Sequence, residues 1–252
     1  MRIGMNILVG ISRVPDTATK IIIGADGKSI DEKGVKFIIN PYDEFALEEG
    51  LRLKEKYGGT VVTITVGPEA SKEVIRSALA MGADRAVLIK TEGFFDSFFA
   101  AKNIANYAKQ FNPEIIFFGR QSVDFDSLMV PAMVAEFLGL PSITIVSKLT
   151  IDGTKVVAER DVVGGKEIVE TTLPCVISAQ KGLNEPRYPK LPDILKAKNK
   201  PIEEITPEQL EPKVEILGME IPLRARKNKI VGDSDQEIAE IVKLLHEDAK
   251  VI

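Results

Sequence analysis

Apolar positions along the chain fall into short unbroken runs separated by longer stretches with helical spacing. The runs at 5–11 (MNILVGI), 60–66, 85–90 and 115–118 have the composition of strands buried on both faces. Between them, 42–56 carries Phe45, Leu47, Leu51 and Leu53, with carboxylates early and lysines late, the order the helix macrodipole prefers. Further helices are predicted from about 69 to 81 and from about 96 to 110. Another follows the run 115–118, with Val130, Val134, Phe137 and Leu138 on one face, Asp126 or Ser127 as its N-cap, and Gly139 and Pro141 at its end. Asn40-Pro41, Gly58-Gly59, Gly67-Pro68 and Gly82-Ala83-Asp84 punctuate the elements, and Asp26-Gly27 within 20–39 marks a hairpin. Strand and helix alternating with short connections predict an α/β fold with a doubly wound, mostly parallel sheet.

After Pro141 the rhythm changes. Runs at 142–149, 155–160, 167–172 and 174–179, separated by Asp152-Gly153 and Gly164-Gly165, read as an antiparallel extension of that sheet. From Gly182 onward Pro186, Pro189, Pro192, Pro201, Pro207 and Pro212 interrupt a charged stretch of little periodicity, which reads as an extended C-terminal arm laid on another surface. A last helix, near 234–247, has Ile238, Ile241, Val242 and Leu245 at helical spacing behind an Asp233/Ser234 cap. The expected organisation is a nucleotide-binding domain over 1–182, a partner-binding arm over 183–232 and a C-terminal helix over 233–252.

A polar loop between the strand at 115–118 and the following helix puts a helix N-terminus at the carboxyl edge of the sheet, where backbone N–H groups favour phosphate. If the first and fourth strands are neighbours, the loops at 12–19 and 119–127 meet over that edge. Gly10 would allow close approach of a ring or of backbone; Asn40, Tyr42 and Asp43 would close the crevice or serve as cap, packing and first-turn carboxylate. Asp124 and Asp126 suit ribose hydrogen bonds or capping better than a transition metal, since no His or Cys lies near them. Neither a GxGxxG fingerprint nor a GxxxxGK[ST] loop is present.

Composition narrows the classes further. The net charge of −4 argues against nucleic acid as the main partner, and no apolar run is long enough for a membrane span, so a cytoplasmic protein is expected. The single cysteine, Cys175, sits in an apolar run and reads as a buried inert thiol. The single histidine, His246, lies on a charged helix near the C-terminus, away from any triad or zinc pattern. These residues describe a nucleotide-binding α/β protein without catalytic machinery of its own, whose chemistry would come from a cofactor or partner.

The chain resembles the β-subunit of electron-transferring flavoproteins nearly end to end. The resemblance is carried by Arg13-Val14-x-Asp16, Asn40-Pro41 with Glu48-Glu49, Leu51-Arg52-Leu53-Lys54, and residues 78–85 (ALAMGADR). It continues through Gly119-Arg120-Gln121 with Asp124-x-Asp126, Ala158-x-Arg160, Gly164-Gly165, Glu167, Pro174, and residues 183–188 (LNEPRY) running on to Leu191-Pro192 and Lys196-Ala197-Lys198. Val163 stands where that pattern has an acid, and Ser178 where it has Thr, Ala or Cys.

The resemblance implies a heterodimer with an α-subunit, an FAD at the interface walled by Thr17 and Tyr42, and a second adenine nucleotide in this chain's crevice. The positions matching that crevice are Gly10, Asn40, Pro41, Tyr42, Asp43, Val66, Ser122, Asp124, Asp126, Ser127, Met129, Val130, Pro131 and Val134. Residues 14–17 and Asn40-Pro41-x-Asp43 are similar to the electron-bifurcating and nitrogen-fixation-linked branch, whose second nucleotide is FAD; single-flavin members hold AMP. Leu128, Met129, Pro131 and Ala132 depart from the polar or glycine residues of that phosphate loop, and Phe125 from a glycine. The balance favours FAD over AMP. The resemblance also implies docking on acyl-CoA or other dehydrogenases through Arg187, Leu191, Ile194 and Lys196. Electrons would pass on to a quinone oxidoreductase or a ferredoxin-like partner. A stand-alone adenine-nucleotide-binding regulator is the competing class, and the arm, which such a regulator does not need, separates the two.

Overall fold

The computed structural model describes residues 4–222 and 229–252. The first strand, β1 (Met5–Gly10), is followed by a short antiparallel pair, β2 (Arg13–Pro15) and β3 (Phe37–Ile39). Between these two, Ile23 and Ile30 form a single antiparallel bridge around the Asp26-Gly27 turn, so the hairpin expected there is one bridge long. Helix α1 (Pro41–Tyr57), β4 (Gly59–Gly67), a 3₁₀ turn at Glu69–Ser71, α2 (Lys72–Met81), β5 (Arg85–Lys90), α3 (Ser97–Phe111) and β6 (Ile115–Gly119) complete the alternating half.

Among the described residues nine strands form one sheet. Its parallel part places β5, β4, β1 and β6 side by side in that order. Residues Ile7 and Val9 of β1 face the layer of α1 and α2, with Leu47, Val61 and Ile75. Leu8 faces the layer of α3 and α4 (Val130–Leu138), with Val62, Ile116 and Val134. That one-residue alternation gives the sheet two buried faces, the reason its strands read as continuous apolar runs.

The second half differs from expectation in one strand. The β7 (Ser142–Asp152), β8 (Lys155–Val162) and β9 (Gly165–Thr172) ladder is antiparallel, as its alternating pattern suggests. Strand β10 (Cys175–Ala179) is instead parallel to both β6 and β7 and lies between them. All five of its residues are buried, the signature of an interior parallel strand, and its Cys175 thiol is pushed up to about 12 by that burial. A bulge where β7 meets β10 holds Ile145 at φ 61°, and the Ser178 hydroxyl accepts the Ile145 N–H at 2.9 Å.

The segment expected to be an extended arm begins by folding back on this chain. Asn184 and Arg187 bind α1, α5 (Leu191–Ala197) packs on α2, and β11 (Ile202–Ile205) extends the sheet in parallel beyond β5. Glu208 N donates to Asn103 Oδ1, and Lys213 N and Val214 N donate to Asp96 Oδ2, the same residue that caps α3. Proline-broken sequence hides these contacts because they rest on single polar groups rather than on apolar periodicity. Helix α6 (Asp235–Glu247) starts in a Ser234/Glu237 capping box, and none of its residues is buried. Among the described residues no helix is long and apolar enough to cross a membrane.

Candidate functional site

The strand order reverses at β1. The chain proceeds from β1 through β4 to β5 on one side and returns through α3 to β6 on the other, with Ile7 opposite Ile115 and Val9 opposite Phe117. Loops leaving the carboxyl ends of β1 and β6 therefore diverge to opposite faces and leave a crevice between them, the usual ligand position in such sheets.

Two buried side chains of the α1 start fix both loops. Asp43 accepts Ser12 N at 2.7 Å and Gly119 N at 2.9 Å, so one carboxylate bridges the segment after β1 and the end of β6. Burial drives its carboxyl up to about 7 against the lowering effect of hydrogen bonds from Asn40, Ser12 and Gly119. Asn40, fully buried, donates to Gln121 O at 2.8 Å and accepts Val123 N at 3.2 Å. Its side chain is thus spent on the loop and makes no cap bond to α1. Both side chains hold together the loops that wall the crevice. Gly119 is needed for this close approach, since a Cβ there would lie 2.4 Å from Asp43 Oδ1 and 2.7 Å from the Tyr42 carbonyl carbon. Gly10 likewise admits a close ring, that of Phe118, which occupies the place a Cβ would take.

The loop of residues 120–129 is the polar wall. Asp126 N donates to Ser122 O at 2.9 Å, and Gln121 Nε2 donates to Asp126 Oδ1 at 2.5 Å. Asp126 and Leu128 stand at φ 54° and 55°, left-handed backbone that is costly for leucine. Neither Asp126 nor Ser127 caps α4, contrary to the sequence expectation: Met129 occupies the N-cap position and offers no side-chain acceptor. Ser127 pairs with Ser97 at 3.1 Å, while the amides of Ser127, Leu128, Met129 and Val130 meet no acceptor among the described residues. Alternating backbone handedness with free N–H groups at a helix N-terminus makes an anion cradle. Pro131, in the first turn of α4 and buried, supplies no N–H to it, and Val134 is a core residue of that helix. Val66 and Val130 are half-buried at the carboxyl end of β4 and the start of α4, and Asp124 is exposed with its carboxylate turned on Phe125 N.

Sequence reasoning left out several neighbours. The Arg120 guanidinium sits 5.5 Å over the Tyr42 ring, with Nε donating to Gln121 Oε1 at 2.6 Å. Phe94 and Phe125, both substantially exposed, meet with ring centroids 6.2 Å apart beside the loop. Their juxtaposition depends on β5 and β6 ending at the same edge, which no local pattern encodes. Thr17 is exposed in the turn after β2, and half-buried Tyr42 faces the same edge from α1.

The electron transfer flavoprotein domain family matches residues 28–210. The electron transfer flavoprotein subunit beta of Bacillus subtilis (strain 168) is 43% identical over 259 residues, covering 98% of this chain and 100% of that protein. The chain belongs to the electron transfer flavoprotein β-subunit family. The Bradyrhizobium diazoefficiens subunit is 38% identical over 256 residues, covering 98% of this chain and 100% of the relative. The mitochondrial subunit of Arabidopsis thaliana is 38% identical over 249 residues, covering 96% and 99%. As an electron transfer flavoprotein β-subunit the chain serves flavin-based electron transport and pairs with an α-subunit. An uncapped helix start with unpaired amides suits an anionic group better than a neutral or cationic one.

The four residues matched to partner docking divide into two kinds. Leu191 is 69% exposed and Ile194 and Lys196 are also exposed, whereas Arg187 turns inward onto Glu48 and Glu55 of α1.

Proposed function

We propose that the crevice between β1 and β6 holds an adenine nucleotide, FAD rather than AMP, and that a second FAD lies against Thr17 and Tyr42 where the α-subunit joins. The observation that carries the reading is the uncapped start of α4, with free amides from Ser127 to Val130 at the point where the strand order reverses. In this reading those amides bind phosphate oxygens and Asn40 and Asp43 hold the loops around the nucleotide. The exposed Phe94 and Phe125 rings offer aromatic surface to a ring system larger than AMP provides. Bound FAD supplies the electron chemistry. The chain's own residues bind and orient it and present Tyr188, Leu191 and Leu195, all more than half exposed, to an apolar pocket on an acyl-CoA or other dehydrogenase. Electrons then leave to a quinone oxidoreductase or a ferredoxin-like acceptor.

Met129→Asp tests the crevice. The new carboxylate would cap α4 and occupy the amides that a phosphate needs, which stabilises a helix by about 0.5–2 kcal/mol. In the heterodimer the expected result is loss of one nucleotide per complex, counted by chromatography after denaturation, with no fall in Tm. Full retention of both nucleotides would place them elsewhere. Two FAD per wild-type heterodimer supports the FAD assignment, and one FAD with one AMP overturns it.

A further inference from the structure

Segment 188–197 is short and displays several apolar side chains to solvent, yet both of its ends are tied to the body by side-chain hydrogen bonds. At the leading end the Arg187 guanidinium spans two carboxylates of α1. Its Nε and Nη2 donate to the two oxygens of Glu48 at 2.8 and 2.9 Å, its backbone N donates to Glu48 Oε2 at 3.1 Å, and its Nη1 donates to Glu55 Oε1 at 2.6 Å. Glu48 is only 5% exposed, so this fork-to-fork pair joins a buried carboxylate to a guanidinium that still meets solvent. Three residues earlier Asn184 Nδ2 donates to Phe45 O at 3.0 Å and to Glu49 Oε2 at 2.9 Å, on the same helix. At the trailing end Arg76 Nη1 of α2 donates to the carbonyls of Ala197 and Lys200, both at 2.6 Å. Lys200 Nζ returns the grip by donating to Leu79 O at 2.9 Å and Ala83 O at 2.5 Å.

Between these anchors α5 has seven residues, no side-chain cap at its start, and Ala197 as its one buried member. A helix this short does not persist in water unaided, so its conformation is set by its packing on α2 and by the two ends. Its larger apolar residues face solvent, Leu191 at 69% and Leu195 at 55% exposed, and Tyr188 just before it is 94% exposed. The anchoring groups at 184, 187 and 200 are satisfied inward while Tyr188, Leu191, Ile194 and Leu195 are displayed outward, the reverse of what a segment built only to stabilise its own domain would do.

We propose that Arg187 and Arg76, with their acceptors on α1 and α5, are positioning residues that pre-organise the docking segment. They hold Leu191 and its neighbours in the bound geometry before the redox partner arrives. This rests on the reading of that segment as the dehydrogenase-docking surface. Its physical content is entropic: a segment ordered in advance loses less freedom on docking, so the clamp acts on association and leaves the electron-transfer step itself alone.

The test uses the full heterodimer with its flavin, carrying Arg187→Met, Arg76→Met or Leu191→Ala, with an acyl-CoA dehydrogenase reduced by its acyl-CoA as donor. Each clamp variant is expected to raise the KM for the carrier about tenfold at little change in kcat, and to speed amide hydrogen exchange across 191–197 by at least about tenfold. Reduction by dithionite, which needs no docking, should proceed at the wild-type rate. Arg187→Lys keeps the charge but not the fork, and is expected to recover only part of the KM. Unchanged exchange in both clamp variants, or a KM raised only by Leu191→Ala, overturns the clamp while the docking reading stands. A KM that Leu191→Ala leaves alone removes the docking reading itself, and the exchange data then still decide whether the clamp orders the segment. Should Arg187→Met fail to fold, Glu55→Ala, which removes only the outer carboxylate, takes its place and is judged by the same two measurements.

Discussion

Asp43 shows how one side chain can serve two loops at an energetic cost. Its carboxyl is pushed up to about 7 in the folded protein because burial outweighs the hydrogen bonds from Asn40, Ser12 and Gly119, against 3.8 when unperturbed. Between those values the folded chain holds a proton that the unfolded chain has released. The contribution of this group to stability is therefore full below about pH 4 and is lost as pH rises through about 7. Asp43→Asn is expected to flatten that part of the stability curve, read as a smaller difference between urea midpoints at about pH 5 and about pH 8. The same variant turns one acceptor into a donor facing the N–H of Ser12 or Gly119, so it should also loosen the crevice. Gly119→Ala drives a methyl into Asp43 and Tyr42 and is expected to destabilise by about 1–3 kcal/mol, measurable by the same titration.

At the scale of elements, apolar runs were a dependable guide where both faces of a strand are buried. Strands β1, β4, β5 and β6 lie within two residues of their expected limits because a fully buried strand has no polar alternation to confuse. The same rule explains the one strand that departs from expectation. Position in the chain groups the run at 174–179 with its antiparallel neighbours, although its five buried residues mark β10 as an interior parallel strand. Central and edge strands should differ sharply on truncation. Phe117→Ala in β6, at a fully buried position, is expected to cost about 3–5 kcal/mol. Ile168→Ala in β9, 71% exposed, should change stability by less than about 0.5 kcal/mol. Equal losses at the two sites, measured by denaturant unfolding, would contradict the layer arrangement.

At the scale of the whole molecule, the chain divides into a packed body and a terminal helix that contributes nothing to that body's core. Helix α6 displays Ile238, Ile241, Val242 and Leu245, between 37% and 51% exposed, along one side. Removing residues 233–252 is expected to leave the Tm of the isolated chain within about 2 °C, since no buried group is lost. In the heterodimer the same truncation should weaken pairing, because each of those side chains is worth about 1.5–3 kcal/mol if fully buried against the α-subunit. Sedimentation of truncated and full-length chains with the α-subunit measures both. An isolated chain that loses its cooperative transition on truncation would show that the helix belongs to the body.

Sequence alone determined the α/β class, the alternation of elements, the buried character of Cys175 and, through its motif blocks, the family. It also located the loop at 119–127, two residues short of its observed end, because strand, polar break and helix are local signals. It did not determine that Asn40 and Asp43 clasp that loop, that α4 starts uncapped at Met129, or that Arg187 faces inward. Each of those depends on groups far apart in the chain, 76 positions for Asp43 and Gly119 and 139 for Glu48 and Arg187. Hydrophobic periodicity records how much surface an element buries and on which side. The partner of a single buried carboxylate is fixed only when the sheet brings two loop ends together, and that decision belongs to the tertiary structure.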